Sequence, residues 1–227
     1  MGYYLLDDII NEKAAPKLHY VSAGFAMDKT QRELLRKSEE RMTNVYMWRV
    51  GYIDKDERKF SLRAVEEATG FKVEELGEAK AEAFPTDVLK REGITKAFGD
   101  FNLPLLSPIP RKGDVVLATY KNGKPAIVAR MDGKYPQIFC GITVLTTELC
   151  GYFGKLAGVH HYVDNNAAAS VNGDYIGFNT TKAGKHTLNL KSEAEVFDVL
   201  ENKNLGRFKT KTFDLNVGDV KLFKLSK

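Results

Sequence analysis

Residues 124–162 leave a chain of this kind few ways to fold. Residues 126–129 and 137–139 are short runs dominated by Ile, Val and Phe, and between them Met131, Asp132, Gly133 and Lys134 carry the Asp-Gly pair that marks a tight hairpin. After Cys140 and Gly141 the period changes. Leu149, Tyr152, Phe153, Leu156 and Ala157 recur at three- and four-residue intervals, which lays one apolar stripe along a helix. Gly158 stops that helix, because glycine readily takes the left-handed C′ conformation. Gly151 and Gly154 inside it each cost about 1 kcal/mol relative to Ala, a penalty tolerated where the backbone packs closely on a neighbour. The resulting strand, turn, strand, turn, helix unit must lie on something else.

The upstream sequence supplies it. Residues 17–23 (KLHYVSA) read as a buried strand. Asp28 caps a helix with Gln31 in capping-box position, its inner face formed by Leu34, Leu35 and Met42, while Arg32, Glu33, Arg36, Lys37, Glu39 and Glu40 are expected to face water. Residues 44–50 (NVYMWRV) are nearly continuous in bulky side chains, as a central parallel strand should be. Strand, helix, strand implies a parallel sheet with right-handed crossovers. Asp7 and Asp8 fit a helix start whose acids complement the dipole. Residues 71–99 support no more than short strands or loops. With three prolines, residues 103–110 are expected to form a rigid extended connection. Residues 114–120 form a strand, and Asn122-Gly123 turns into a second hairpin on the sheet edge.

From Val163 onward, short segments bounded by Gly, Asn or Lys recur about every ten residues, the pattern of an all-β unit. They cover residues 167–172, 175–179, 185–190, 194–200, 209–215 and 220–225. Alternation is visible in Val220, Lys221, Leu222, Phe223, Lys224 and Leu225, so one face is buried and one wet.

Composition narrows the function classes. The chain has 227 residues, 28% of them charged, and a formal net charge of +4, with basic residues interspersed among acids. That is a solvated surface, so no nucleic-acid partner is expected. No apolar run is long enough to span a bilayer, and the first ten residues lack the basic region and apolar core of a signal peptide. No membrane partner and a cytoplasmic location are therefore expected. Cys140 and Cys150 are the two cysteines, without a Cys-x-x-Cys pair, so neither a disulfide framework nor a zinc site is expected.

Three stretches carry a resemblance. Residues 138–162 (IFCGITVLTTELCGYFGKLAGVHHY) resemble the last strand and helix of the class I glutamine-amidotransferase-like, trimerisation-type domain behind the catalytic barrel of some bacterial beta-galactosidases and related glycoside hydrolases. Trp48, Gly51, Tyr52, Ile53, Asp54, Ser61, Leu62, Thr69 and Gly70 fall on a second motif of the same domain. Gly184, Leu188, Leu190, Val196, Asp198, Leu200, Gly206, Leu222, Phe223 and Leu225 resemble the small β-sandwich that closes those chains. The resemblance implies an open, largely parallel three-layer α/β domain over residues 1–162, amidotransferase-like or flavodoxin-like, then a β-sandwich over residues 163–227. The family domain begins with a further strand and helix, so an exposed sheet edge and self-association through it are expected.

The chemistry of catalysis is hard to find. An amidotransferase nucleophile sits in a Gly-x-Cys-x-Gly elbow. Around Cys140 the glycine positions hold Ile138 and Ile142, and the histidines His160 and His161 lack the His-x-Glu pattern. No carboxylate pair suited to glycoside hydrolysis stands out among Asp54, Asp56 and Glu57, and no phosphate-cradling glycine loop is present. No catalytic residue, metal ligand or cofactor is therefore assigned. The candidate site is a surface at the carboxyl end of the strand at residues 44–50, where ligands of open sheets bind: Trp48, Arg49, Tyr52 and Asp54, to stack on a carbohydrate or fill a partner's pocket. The resemblance implies a non-catalytic accessory or oligomerisation module, acting as a homo-oligomer or with a glycoside-hydrolase catalytic domain. A degenerate amidotransferase-like or hydrolase enzyme and a small-molecule binding module are the alternatives.

Overall fold

The computed structural model describes residues 5–13, 15–99, 102–163 and 167–226. The chain divides into two compact units between Val159 and His160.

The first unit opens with α1 (Leu6–Ile10), whose first turn holds Asp7 and Asp8, then β1 (Leu18–Val21) and β2 (Ala26–Met27). In α2 (Lys29–Lys37) the Asp28 carboxylate accepts the Gln31 N–H at 2.8 Å while the Gln31 side chain accepts the Asp28 N–H, completing the expected capping box. There follow β3 (Thr43–Met47), β4 (Ile53–Asp54), β5 (Lys59–Phe60) and α3 (Leu62–Thr69), the last capped by Ser61 and closed by Gly70 at φ +69°. The remainder is β6 (Val73–Lys80), β7 (Ala83–Pro85), α4 (Asp87–Arg91), β8 (Asn102–Pro108), β9 (Val115–Tyr120), β10 (Pro125–Arg130), β11 (Gln137–Cys140) and α5 (Thr147–Leu156).

The main sheet has six strands in the order β1-β3-β11-β10-β9-β7. Alternate side chains enter separate cores on its two faces. Val45, Ile138 and Ile127 join Leu149 and Phe153 of α5, whereas Tyr46, Phe139 and Val128 join Leu35 of α2 and Val65 of α3. Helices thus cover both faces. A buried amide network pins the parallel strands in register. Asn44 meets His19 Nδ1 at 3.1 Å, and its Nδ2 donates to Ser38 Oγ at 3.1 Å and to Gln137 Oε1 at 3.2 Å.

Four expectations need correction. The sheet is mixed: β1, β3 and β11 are parallel, but β11-β10, β10-β9 and β9-β7 are antiparallel, because hairpin loops at residues 121–124 and 131–136 join β9, β10 and β11 directly, while the chain passes from β7 to β9 through α4 and β8. The β9-β10 hairpin lies inside the sheet, and β7 holds that edge. Residues 103–110 are largely strand: β8 pairs antiparallel with β6 in a two-stranded ribbon, its prolines tolerated because, among the described residues, no strand pairs with its other side. Arg32, expected in water, is buried at 4% exposure, for reasons given below.

The second unit contains β12 (Ala167–Asn172), β13 (Tyr175–Thr180), β14 (Gly184–Asp198), β15 (Lys203–Leu215) and β16 (Val220–Ser226). All five join one antiparallel sheet in the order β12-β13-β16-β14-β15. The segments at 185–190 and 194–200 belong to a single long strand. A register shift between Asn189 and Ala194 interrupts its pairing, and such bulges let a strand bend. Its core holds Ile176, Phe178, Leu188, Leu190, Val196 and Phe223.

Candidate functional site

The parallel strands β1, β3 and β11 end together, and the chain leaves β3 through a turn at residues 48–51. Two positive φ angles make this turn, +53° at Trp48 and +75° at Gly51. Gly51 is required twice over, since a Cβ there would also meet the Ala68 Cβ at 2.8 Å and the Ala64 carbonyl oxygen at 3.1 Å on α3. A bulky non-glycine residue in the left-handed region is uncommon. Trp48 is held in it by its own N–H, which donates to the Cys140 carbonyl at 2.6 Å, and by its indole N–H, which donates to the Pro104 carbonyl at 3.2 Å. Phe25 packs edge-on to the indole, ring centroids 5.3 Å apart.

Trp48, half-buried, then forms one side of an aromatic and cationic cluster. The Arg49 guanidinium carbon lies 5.3 Å from the Trp48 ring centre and 4.4 Å from that of Tyr52. Glu75, on β6, ties the cluster together: it accepts the Tyr52 hydroxyl at 3.0 Å and lies 3.6 Å from Arg49 Nη2. Burial and the Glu75 carboxylate both raise the Tyr52 hydroxyl above the usual phenol value, so it stays a neutral donor. Phe60 stacks on Tyr52 at 5.0 Å and is 66% exposed, carrying the cluster out to solvent. The Arg49 Nε is buried with no hydrogen-bond partner.

Three of the four expected site residues therefore come together. Asp54 does not join them. Its Oδ1 accepts the N–H groups of Asp56 and Glu57 at 2.9 and 3.1 Å, and its Oδ2 lies 3.3 Å from Arg32 Nη2. The Glu57 N–H, foremost, holds its carboxyl below the ordinary carboxylate value. Arg32 in turn meets Glu67 at 3.0 Å and donates to the Met27 carbonyl at 2.9 Å, so one guanidinium clips α2, α3 and the small β2-β4-β5 sheet together. That pairing is why it is buried. Glu75, Phe25 and Phe60 were missed. Only the adjacent acids Glu74 and Glu75 offered a signal, in a stretch too rich in charge to read.

Cys140 ends β11 beside this turn. It is fully buried, and burial pushes its thiol up to about 12, so the thiolate needed for nucleophilic attack is scarce near neutrality. The His160 ring belongs to the other unit, where its Nε2 lies 2.9 Å from the Asn189 carbonyl oxygen. Among the described residues, no group of three or more His, Cys, Asp or Glu side chains is placed to hold a metal ion, and no helix is long and apolar enough to cross a membrane.

No protein-family model and no curated protein sequence matches the chain. Solved structures share its fold. The beta-galactosidase from Rahnella sp. R3 superposes at TM-score 0.57 and 14% identity, over 92% of this chain and 32% of that one. A GH42 beta-galactosidase of G. stearothermophilus superposes at 0.57 and 12% identity over 92% and 32%, and the enzyme of Halorubrum lacusprofundi at 0.57 and 13% over 92% and 31%. This is the fold of a domain of GH42 beta-galactosidases. The chain spans about a third of the length of those enzymes.

Proposed function

We propose that this protein is a non-catalytic accessory and oligomerisation module of the glycoside-hydrolase type, with an amidotransferase-like three-layer α/β part (residues 1–162) and a small sandwich-like β part (residues 163–227). One observation carries the reading: nearly the whole chain shares its fold with less than a third of each beta-galactosidase. A segment of that share has the size of an auxiliary domain. The buried Cys140 thiol argues in the same direction, against a surviving amidotransferase nucleophile.

The Trp48, Arg49 and Tyr52 cluster is the contact we assign, to a carbohydrate or to a catalytic partner. The Arg49 guanidinium over the Trp48 and Tyr52 rings supports it, since an aromatic face with a cation beside it suits a sugar ring or a partner's side chain. Trp48 is the only tryptophan, so its fluorescence reports directly on the site. Titration with galactosides to millimolar concentration is expected to shift its emission, and a flat response leaves contact with a protein partner as the cluster's role. Light scattering at micromolar concentration tests assembly: a mass above the monomer's is expected, and a monomeric mass contradicts the oligomerisation role.

A further inference from the structure

At the opposite end of the main sheet from Trp48 lies an open cleft of about 560 Å³, lined by Arg36, Lys37, Arg111, Arg130, Lys134 and Tyr135 together with Glu39, Glu40 and Asp132. Its five cations come from four separate places: the end of α2, the loop before β9, the end of β10 and the β10-β11 turn. Two guanidiniums are brought together at Gly70, the left-handed cap of α3. Arg130 Nη1 donates to the Gly70 carbonyl at 2.9 Å, and a Cβ on Gly70 would meet the Arg36 guanidinium carbon at 2.6 Å. The negative end of the helix dipole offsets their mutual repulsion.

The arginines are held in place by carboxylates. Asp114, whose side chain is 2% exposed, lies 3.2 Å from Arg130 Nε and 3.6 Å from Arg111 Nε. Arg111 Nη2 also lies 2.5 Å from Asp132, and Arg36 pairs with Glu39. Each guanidinium has five N–H donors, so each retains some that these contacts do not use. Lys37 and Lys134 line the same cleft with no carboxylate within ion-pair distance among the described residues, against one such acid, Glu40. Counting Asp114, the cleft carries five positive and four negative groups.

We propose that this cleft binds a small phosphorylated ligand, its dianionic phosphoryl group taken by Lys37, Lys134 and the free donors of the arginine cluster, with Tyr135 beside its organic part. Fixed guanidiniums with spare donors suit a tetrahedral oxyanion, and two unneutralised ammoniums match a charge near −2. The site is independent of the accessory role proposed above and of the Trp48 cluster.

The test uses the full chain at low ionic strength, with calorimetric titration of inorganic pyrophosphate, galactose 6-phosphate and galactose. Lys37 and Lys134 are both exposed, so a Lys37→Ala/Lys134→Ala variant should fold, which its circular dichroism and melting temperature check. Both phosphates are expected to bind with millimolar or better affinity and galactose not to bind. The double variant should lose tenfold or more in affinity, about what two exposed charge contacts supply. Equal affinity for wild type and variant, or no phosphate binding by wild type, overturns the proposal.

Discussion

Cys140 shows how much one position can say. A thiol at a strand end beside a turn resembles a nucleophile, yet its environment makes it a small apolar filler. Its folded-state value of about 12 lies above the ordinary 9.0, so the unfolded chain releases this proton first as pH rises. The stability it contributes is complete below pH 9 and is lost between about 9 and 12. Alkaline urea titrations should show this decline, and Cys140→Ala should make it shallower, with the raised hydroxyls of Tyr20, Tyr46 and Tyr120 supplying the rest. Native-state alkylation at pH 8 should modify the partly exposed Cys150 well before Cys140. Arg32 makes the converse point. Replacing it by Ala leaves Asp54 buried without its cation, so Arg32→Ala should lower the melting temperature more than Glu67→Gln, whose side chain is 36% exposed. Helical periodicity could not reveal this. An arginine on an amphipathic helix reads as solvent-facing unless its partners, here at positions 54 and 67, are known.

Elements announced by local chemistry were legible. The Asp28/Gln31 box and the Gly158 stop, at φ +63°, sit where their residue types place them, whereas Asp132 and Gly133 lie in a six-residue loop, 131–136, in place of the expected tight turn, since Gly133 does not take a positive φ. What failed depended on pairing between distant segments. The β6-β8 ribbon joins a charged strand to a proline-containing one, and neither carries the apolar alternation of a strand. The long β14 looked like two strands because Lys191, Ser192 and Glu193 are exposed at its bend. At the site, sequence order could place Trp48, Arg49 and Tyr52 near one another, but Glu75 is brought in by β6. Strand burial supplies this scale's prediction. Phe139 on β11 is fully buried between Tyr46's core and the ring of Phe71, 5.9 Å away. Phe139→Ala should cost about 3–5 kcal/mol in denaturant unfolding, and a loss below 1 kcal/mol would contradict that packing.

At the scale of the molecule, each unit has its own core, with no residue shared between the clusters. Residues 160–227, expressed alone, are therefore expected to give a dispersed amide spectrum and a cooperative melt, although a unit of this size is marginal. A collapsed spectrum would mean the second core depends on the first. The parallel half of the main sheet has a further consequence, for synthesis. Strand β3 finds one neighbour early, in β1, but the other pairs Val45 with Ile138. Until β11 has left the ribosome, Tyr46 and its flanking residues have an unfilled side, and closing so long a loop is slow. A nascent chain halted before β11 would display that strand as a ready template for aggregation, and would be a natural client for a holding chaperone.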